Sequence, residues 1–158
     1  MRRLRGNVAA AVYGQILATS LVATLSEDGG ISSTELLFWL GLTMVVFWVA
    51  HVYAEAVARR LDRGRDLEVA DIRELVTDEL PELVAVLPPM AAIALGAVGL
   101  LERDTAVELA IALGVALLAA WGYVIARRTH LSPRATVGSV VLNGAIGLAI
   151  VGLKVWIH

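Results

Sequence analysis

A histidine and a glutamate four residues apart are the side chains of this sequence best suited to chemistry. His51 and Glu55 lie at the end of a long apolar stretch, in the run Ala-His-Val-Tyr-Ala-Glu. On a helix this spacing puts both side chains on one face, where they could bind one cation or pass one proton. A structural alternative is that the pair only holds helices together by hydrogen bonds. We therefore take His51 and Glu55 as candidate metal-binding and proton-handling residues.

Three other polar residues are expected to share their depth. At 1.5 Å per residue from the expected ends of the apolar segments, Gln15 lies ~10 Å, Tyr13 ~7 Å and Asn143 ~12 Å inside a membrane. The same count puts His51 ~9 Å and Glu55 ~3 Å from that interface. Polar groups are costly in lipid, usually face protein or water, and are commonly functional. The sequence thus predicts a polar layer, drawn from three helices, for transport or proton handling.

A break is expected in the third apolar segment, at Pro88, Pro89 and Met90. Two adjacent prolines remove two backbone donors and kink or break a helix, and such breaks can line a site. Two alternatives are a kink that only shapes packing, and a helix that begins at Pro88, because proline favours the first turn.

Five apolar segments must position these residues. The 158 residues are 58% hydrophobic and 18% charged, with a mean hydropathy of +0.76. Each segment approaches the ~20 apolar residues that span a bilayer as a helix. The predicted fold is an all-α integral membrane protein, a single domain of five transmembrane helices at about 8–25, 35–58, 83–101, 105–126 and 135–157.

The distribution of basic residues predicts the orientation. With the amino terminus in the cytoplasm and the carboxyl terminus outside, eleven of the thirteen Lys and Arg residues face the cytoplasm. Such a bias is typical of the inner side of a membrane. We expect the plasma membrane of a prokaryote. The eleven are Arg2, Arg3, Arg5, Arg59, Arg60, Arg63, Arg65, Arg73, Arg127, Arg128 and Arg134, while Arg103 and Lys154 face outward.

Residues 59–82 are predicted to form a short amphipathic cytoplasmic segment between helices 2 and 3. Apolar residues recur there at spacings of three and four, which describes one stripe of a helix. Acidic residues occupy much of the remainder. One interpretation is a surface helix with solvated acids. The other is an antechamber that attracts cations. These acids include Asp66, Glu68, Asp71, Glu74, Asp78, Glu79 and Glu82.

Other classes of function have little support. The chain has no cysteine, which excludes disulfides and thiolate metal sites. The basic residues form no stripe suited to nucleic acid. No nucleophile, base and orienting group occur together, so we do not expect an enzyme. No cofactor can be named from the sequence.

Small residues predict close helix contacts. Ala10, Gly14 and Ala18 recur every four positions, and Gly144 is one of several glycines in the last helix. Such seams let backbones approach closely, either within one chain or between two. Because five short helices enclose little volume, we expect a homo-oligomer in the lipid bilayer, with a dimer favoured.

The layout resembles the vacuolar iron transporter family, in which five helices and an acidic insert after helix 2 form a dimeric exchanger of divalent metal and protons. The run from Ala50 to Glu55 is similar to the family's motif at the end of helix 2, with Glu55 at the position of its glutamate and His51 replacing its methionine. Ser132-Pro133-Arg134 before the glycine-rich helix 5 is also similar. Leu17 falls near the family's helix 1 aspartate, and the insert here is short.

These observations favour a small transporter or channel for a divalent cation or protons. The alternative is a non-transporting membrane protein that organises a partner through its helices and acidic segment.

Overall fold

Five α-helices make up the fold in the computed structural model, which describes residues 2–26 and 30–156. They are α1 (Arg2–Leu25), α2 (Ser33–Arg63), α3 (Val69–Ala97), α4 (Arg103–Arg128) and α5 (Pro133–Trp156). No strand occurs in these ranges. The side chains of Arg2, Arg3, Arg5 and Lys154, which enter the charge count above, lie outside the described part. The predicted all-α class is confirmed.

Local signals fix both ends of α2. Ser32 caps its amino terminus, because the hydroxyl accepts from the Glu35 N–H while the Glu35 carboxylate accepts from the Ser32 N–H. This reciprocal arrangement satisfies donors that the first turn leaves unpaired. Gly64 ends the helix with a φ of +61°, a left-handed conformation that glycine adopts without steric cost.

The segment between α2 and α3 is shorter than the expected range of 59–82. α2 continues to Arg63 and α3 begins at Val69, so only a short connection separates them. The amphipathic stripe and the apolar stretch that follows it form one helix rather than two. The acids near the end of that stripe are therefore carried on the same rigid element as the apolar core residues.

α3 also continues through its prolines. Pro81, Pro88 and Pro89 all lie inside the helix, as does Met90. The prediction of a helix break at Pro88 and Pro89 is therefore wrong, and so is the alternative of a helix that begins at Pro88. Each proline removes only one N–H donor, and burial of this stretch offsets the loss, since Pro89 itself is buried. Its buried apolar neighbours are Val86, Ala92 and Ile93.

Helix α1 is the centre of the bundle and contacts all four other helices. Many of its buried residues are small, including Ala10, Ala11 and Ala18, which lets its neighbours approach closely. α3 packs between α1, α2 and α4, and α5 packs mainly on α4. The main core cluster comprises Ala18, Val22, Leu36, Leu40, Met44, Val86, Ala92, Ile93, Val107 and Ala110.

Glycines allow the closest contacts between helices. A Cβ atom on Gly14 would lie 2.5 Å from the Glu82 carbonyl oxygen, and one on Gly122 would lie 2.5 Å from the Ser139 carbonyl oxygen. Gly14 therefore belongs to a contact between α1 and α3 of the same chain. A Cβ on Gly144 would meet only Ala119, at 3.6 Å.

Four helices within the described ranges are long and apolar enough to cross a membrane: Val8–Leu25, Ser33–Arg63, Val69–Ala97 and Arg103–Arg128. The α2 window is only 17% buried inside the chain. Large apolar side chains such as Phe38, Val46 and Leu87 point outward. An apolar exterior of this extent is typical of a protein surrounded by lipid. The structure thus indicates a membrane protein.

We predict that Gly122→Ala destabilises the contact between α4 and α5. The added methyl would collide with backbone of α5, which cannot rotate away, and overpacking of this kind costs about 1–3 kcal/mol. Thermal unfolding of the purified protein in detergent should show a lower midpoint. Gly138→Ala is the matched control, because a Cβ there has nothing within 4 Å. An equal loss in both variants would contradict a specific contact at Gly122.

Candidate functional site

His51 is held on α2 where that helix faces α1 and α3. Its ring meets the ring of Tyr13 on α1 edge to face, with centroids 5.6 Å apart and planes at 88°. Such a geometry places the positive edge of one ring against the face of the other. The His51 side chain remains 38% exposed. The imidazole is thus oriented by α1 yet still accessible.

Two carboxylates of α3 face this imidazole. The His51 Nδ1 atom lies 3.3 Å from Oε2 of Glu82, and its Nε2 atom lies 4.0 Å from Oε2 of Glu79. Glu79 and Glu82 are three residues apart, so a helix presents them on one face. α2 and α3 together therefore place one imidazole between two acids.

Glu82 is buried because α1 comes unusually close at Gly14. A Cβ on Gly14 would lie 2.5 Å from the carbonyl oxygen of Glu82 and 2.9 Å from its Cγ. The absence of a side chain at Gly14 makes the space that Glu82 fills. The Glu82 side chain is 0% exposed as a result.

The Glu82 carboxylate lacks the partners that a buried charge needs. Within the described part of the chain, neither of its oxygens receives a hydrogen bond of acceptable geometry. The 3.3 Å approach of His51 Nδ1 is close but poorly aligned. A carboxylate removed from water is costly unless it carries a proton or meets a cation. The site is therefore suited to holding one or the other.

The three groups have a geometry that a metal ion could use. One ligand atom from each of His51, Glu79 and Glu82 can be chosen so that all lie within 4.8 Å of one another. Imidazole nitrogen with carboxylate oxygen suits divalent ions such as Mn²⁺, and three protein ligands leave positions for water. Such a site can bind an ion without enclosing it.

Other predicted residues occupy different positions. Glu55 pairs with Arg59, whose Nε atom lies 3.3 Å from Oε1 of Glu55, so the carboxylates at His51 come from α3 instead. Gln15 is fully buried and donates to Thr19 at 3.4 Å, while its Oε1 atom has no hydrogen-bond partner among the described residues. Asn143 donates to the Ser139 carbonyl oxygen in its own helix.

Glu79 and Glu82 were not singled out from the sequence. They stood among the acids of residues 59–82, where charge density indicated solvent or an antechamber. Their position directly before the apolar run that starts at Leu83 is the signal that could have separated them from the rest. If the amphipathic stripe and the apolar run are taken as one continuous helix, both acids are predicted to lie inside the helix bundle.

Comparison with known proteins returned nothing similar: no protein-family model, curated protein or solved structure matches the chain significantly. The resemblance to vacuolar iron transporters therefore stays an expectation from the sequence, and the site must be judged on its own geometry.

We predict that His51, Glu79 and Glu82 bind Mn²⁺ in the purified protein. Removing a ligand from a three-ligand site should weaken binding at least about tenfold, which corresponds to ~1.4 kcal/mol. The measurement is loss of the free Mn²⁺ signal in electron paramagnetic resonance, for the native chain, His51→Ala and Glu82→Gln. Glu108→Gln is the control, since Glu108 is an exposed acid on α4. Equal binding by all four proteins would exclude this site.

Proposed function

We propose that this protein is a small membrane transporter that carries a divalent cation, coupled to protons, through His51, Glu79 and Glu82. The observation that carries the proposal is the fully buried Glu82 carboxylate, which faces an imidazole and a second carboxylate and has no aligned hydrogen bond among the described residues. A buried carboxylate without an aligned hydrogen bond needs a proton or a cation to offset its charge, and an exchangeable proton or cation would meet that need.

The chemistry of these groups supports exchange rather than permanent binding. Carboxylates and imidazole take up either a proton or a metal ion, but not both at the same atom. Loading the cation therefore releases protons, and protonation releases the cation. Tyr13 orients His51, and the unpartnered Oε1 of Gln15 offers a further polar atom within the bundle. Both remain candidates for a supporting role.

The proposed arrangement in the membrane has five spans, with α5 as the fifth. The amino terminus and the connection between α2 and α3 lie in the cytoplasm and the carboxyl terminus lies outside, in the plasma membrane of a prokaryote. The excess of arginine on one side supports this orientation. A homodimer is proposed as the native unit, because a bundle of five helices leaves much of α2 uncovered.

A non-transporting scaffold is the competing function. It is favoured by one observation: Arg63 at the end of α2 and Arg65 in the connection both pair with Asp71 on α3. A rigid, charged pair of helix ends of this kind could dock a partner. The two functions differ in what His51 and Glu82 do, because a scaffold has no need of an exchangeable proton or cation.

We predict that proteoliposomes containing the native chain take up Mn²⁺ and move protons in the opposite direction. Glu82→Gln keeps the size of the side chain but removes the charge, so it should abolish most of both fluxes. His51→Ala should do the same. Mn²⁺ quenching of an enclosed dye and a pH-sensitive dye measure the two fluxes, with Glu108→Gln as the control. Native protein that moves neither ion would support the scaffold.

We also predict that the connection between α2 and α3 faces the cytoplasm. The chain has no cysteine, so single substitutions can be labelled without background. In intact cells, a membrane-impermeant maleimide should label Gly30→Cys and spare Asp62→Cys, and both positions are exposed. The reverse pattern would invert the proposed orientation.

A further inference from the structure

Gln15 is a fully buried side chain of α1 with one polar atom that lacks a partner. Its Nε2 atom donates to the Thr19 hydroxyl oxygen at 3.4 Å, and that hydroxyl donates to the Gln15 backbone carbonyl oxygen at 2.7 Å. Because the hydroxyl has already given its hydrogen away, Thr19 can only accept from the amide, which fixes the orientation of the amide. The Oε1 atom therefore points elsewhere, and it accepts no hydrogen bond from the described residues.

A backbone acceptor of α3 is also without its helical donor. In a helix, the carbonyl oxygen of Ala85 accepts from the N–H of residue 89, or from that of residue 88 in a tighter 3₁₀ turn. Residues 88 and 89 are both prolines and have no N–H, yet the helix continues through them. The Ala85 carbonyl oxygen therefore needs a donor from outside the regular hydrogen bonds of α3.

The Gln15 side chain lies where α1 meets both α3 and α4. Gly14, the preceding residue, packs on Glu82 of α3. Thr19, one turn further along α1, packs on Gly114 of α4, where even a Cβ atom would collide with the Thr19 hydroxyl. Gln15 and Thr19 are four residues apart and share a face of the helix. The face that carries Gln15 therefore turns toward α4.

Ala85 lies on the face of α3 that turns toward the same helix. Ala85 and Gly96 are eleven residues apart, which is about three helical turns, so they share a face. At Gly96 this face is close to α4, because a Cβ there would lie 2.8 Å from the Ala106 Cβ. Gln15 and Ala85 thus both line the space where α1, α3 and α4 come together.

The packing contacts just described match both acceptors to one level of α4. Successive helices joined by short connections run antiparallel, so α4 runs opposite to α1 and α3. Counting back along the helices from those contacts places Gln15 opposite Leu118 and Ala85 opposite Leu117. Leucine side chains have no N–H or O–H to donate. Two acceptors from different helices therefore lie at a level where the facing side chains of α4 supply no donor.

The two acceptors need a ligand that donates to both. A buried acceptor without a donor is costly, and two acceptors cannot pair with each other. A water molecule can donate two hydrogens, and internal waters usually bond to polar groups that are otherwise unpaired. Ordered water is also one of the ways in which membrane helices satisfy the carbonyl groups that proline leaves without a donor.

We propose that one internal water molecule binds between α1, α3 and α4 and donates its two hydrogens to the Gln15 Oε1 atom and the Ala85 carbonyl oxygen. Pro89 maintains this site by withholding the N–H that would otherwise occupy that carbonyl. Ala85 lies three residues beyond Glu82, about 4.5 Å along α3, so the water extends the polar interior past the candidate site. Its role as a polar step in transport rests on the proposed function, whereas its existence does not.

The native chain allows a direct test, because Gln15 is the only glutamine and isotope-labelled glutamine gives a single side-chain signal. In solid-state NMR of the protein in lipid bilayers, magnetisation from water protons should reach the Gln15 Cδ carbon several-fold faster than the methyl carbon of Met44. Met44 is a core residue that is 1% exposed and serves as the dry reference. Equally slow transfer to both carbons would overturn the water site.

A proline variant tests the backbone partner. Pro89→Ala restores the N–H that the Ala85 carbonyl oxygen accepts in a regular helix, so the water loses one of its two acceptors and transfer to Gln15 should slow several-fold. Pro81→Ala is the matched control, since it restores an N–H for the Thr77 carbonyl oxygen at another level of α3, and its transfer should match that of the native chain. A folded Pro89→Ala protein with native transfer would overturn the proposed site, and so would equal slowing in both variants.

Flux measurements separate the role of the water from the proposed function. In proteoliposomes, Pro89→Ala should bind Mn²⁺ as the native chain does, because His51, Glu79 and Glu82 are unchanged, but its Mn²⁺ and proton fluxes should fall several-fold. Native fluxes in a Pro89→Ala protein that has lost the water would overturn the role in transport. If the native chain moves neither ion while its Gln15 signal reports water, the proposed function fails and the water site stands.

Discussion

A carboxylate buried among three helices constrains the rest of this structure. Glu82 is fully buried, and each helix around it must meet a condition for this to be possible. α1 must have no side chain at Gly14, since even a methyl group would strike the Glu82 backbone. α2 must bring His51 to the carboxylate. α3 must stay helical through Pro81, directly before Glu82. The cost of an unpaired buried acid links these three conditions.

The interface between α2 and α3 contains both the candidate site and the ion pairs that hold the two helices in register. Contacts between α2 and α3 run from His51 and Glu82, through Arg59 and Asp78, to Arg63 and Asp71 at the connection. Exposed ion pairs contribute little individually. Their spacing nevertheless fixes which residues face each other along two long helices. The register set near the connection therefore determines which acids reach His51.

Much of the fold, and less of the site, could be predicted from the sequence. Hydropathy located the helices, because burial in lipid requires long apolar runs. His51 stood out because an ionisable group in such a run is rare. The sequence could not identify the partners of His51. The spacing within α2 favours Glu55, and Glu82 comes close only through the packing of α3 on α2. Arg59, also four residues from Glu55, takes that acid instead. The adjacent prolines predicted a break in α3, but the helix continues through them because this stretch is packed in the bundle.

The balance of charges around the connection between α2 and α3 affects how strongly this part of the protein attracts ions from bulk water. Residues 59–74 contain five arginines and five acids, a net charge of zero. Opposite charges so closely mixed cancel beyond a Debye length, about 8 Å at physiological ionic strength. The unbalanced acids, Asp78, Glu79 and Glu82, come only after this neutral stretch. Residues 59–74 therefore do not by themselves steer an ion from bulk water. In the proposed transporter, discrimination between ions would begin only at contact with the carboxylates.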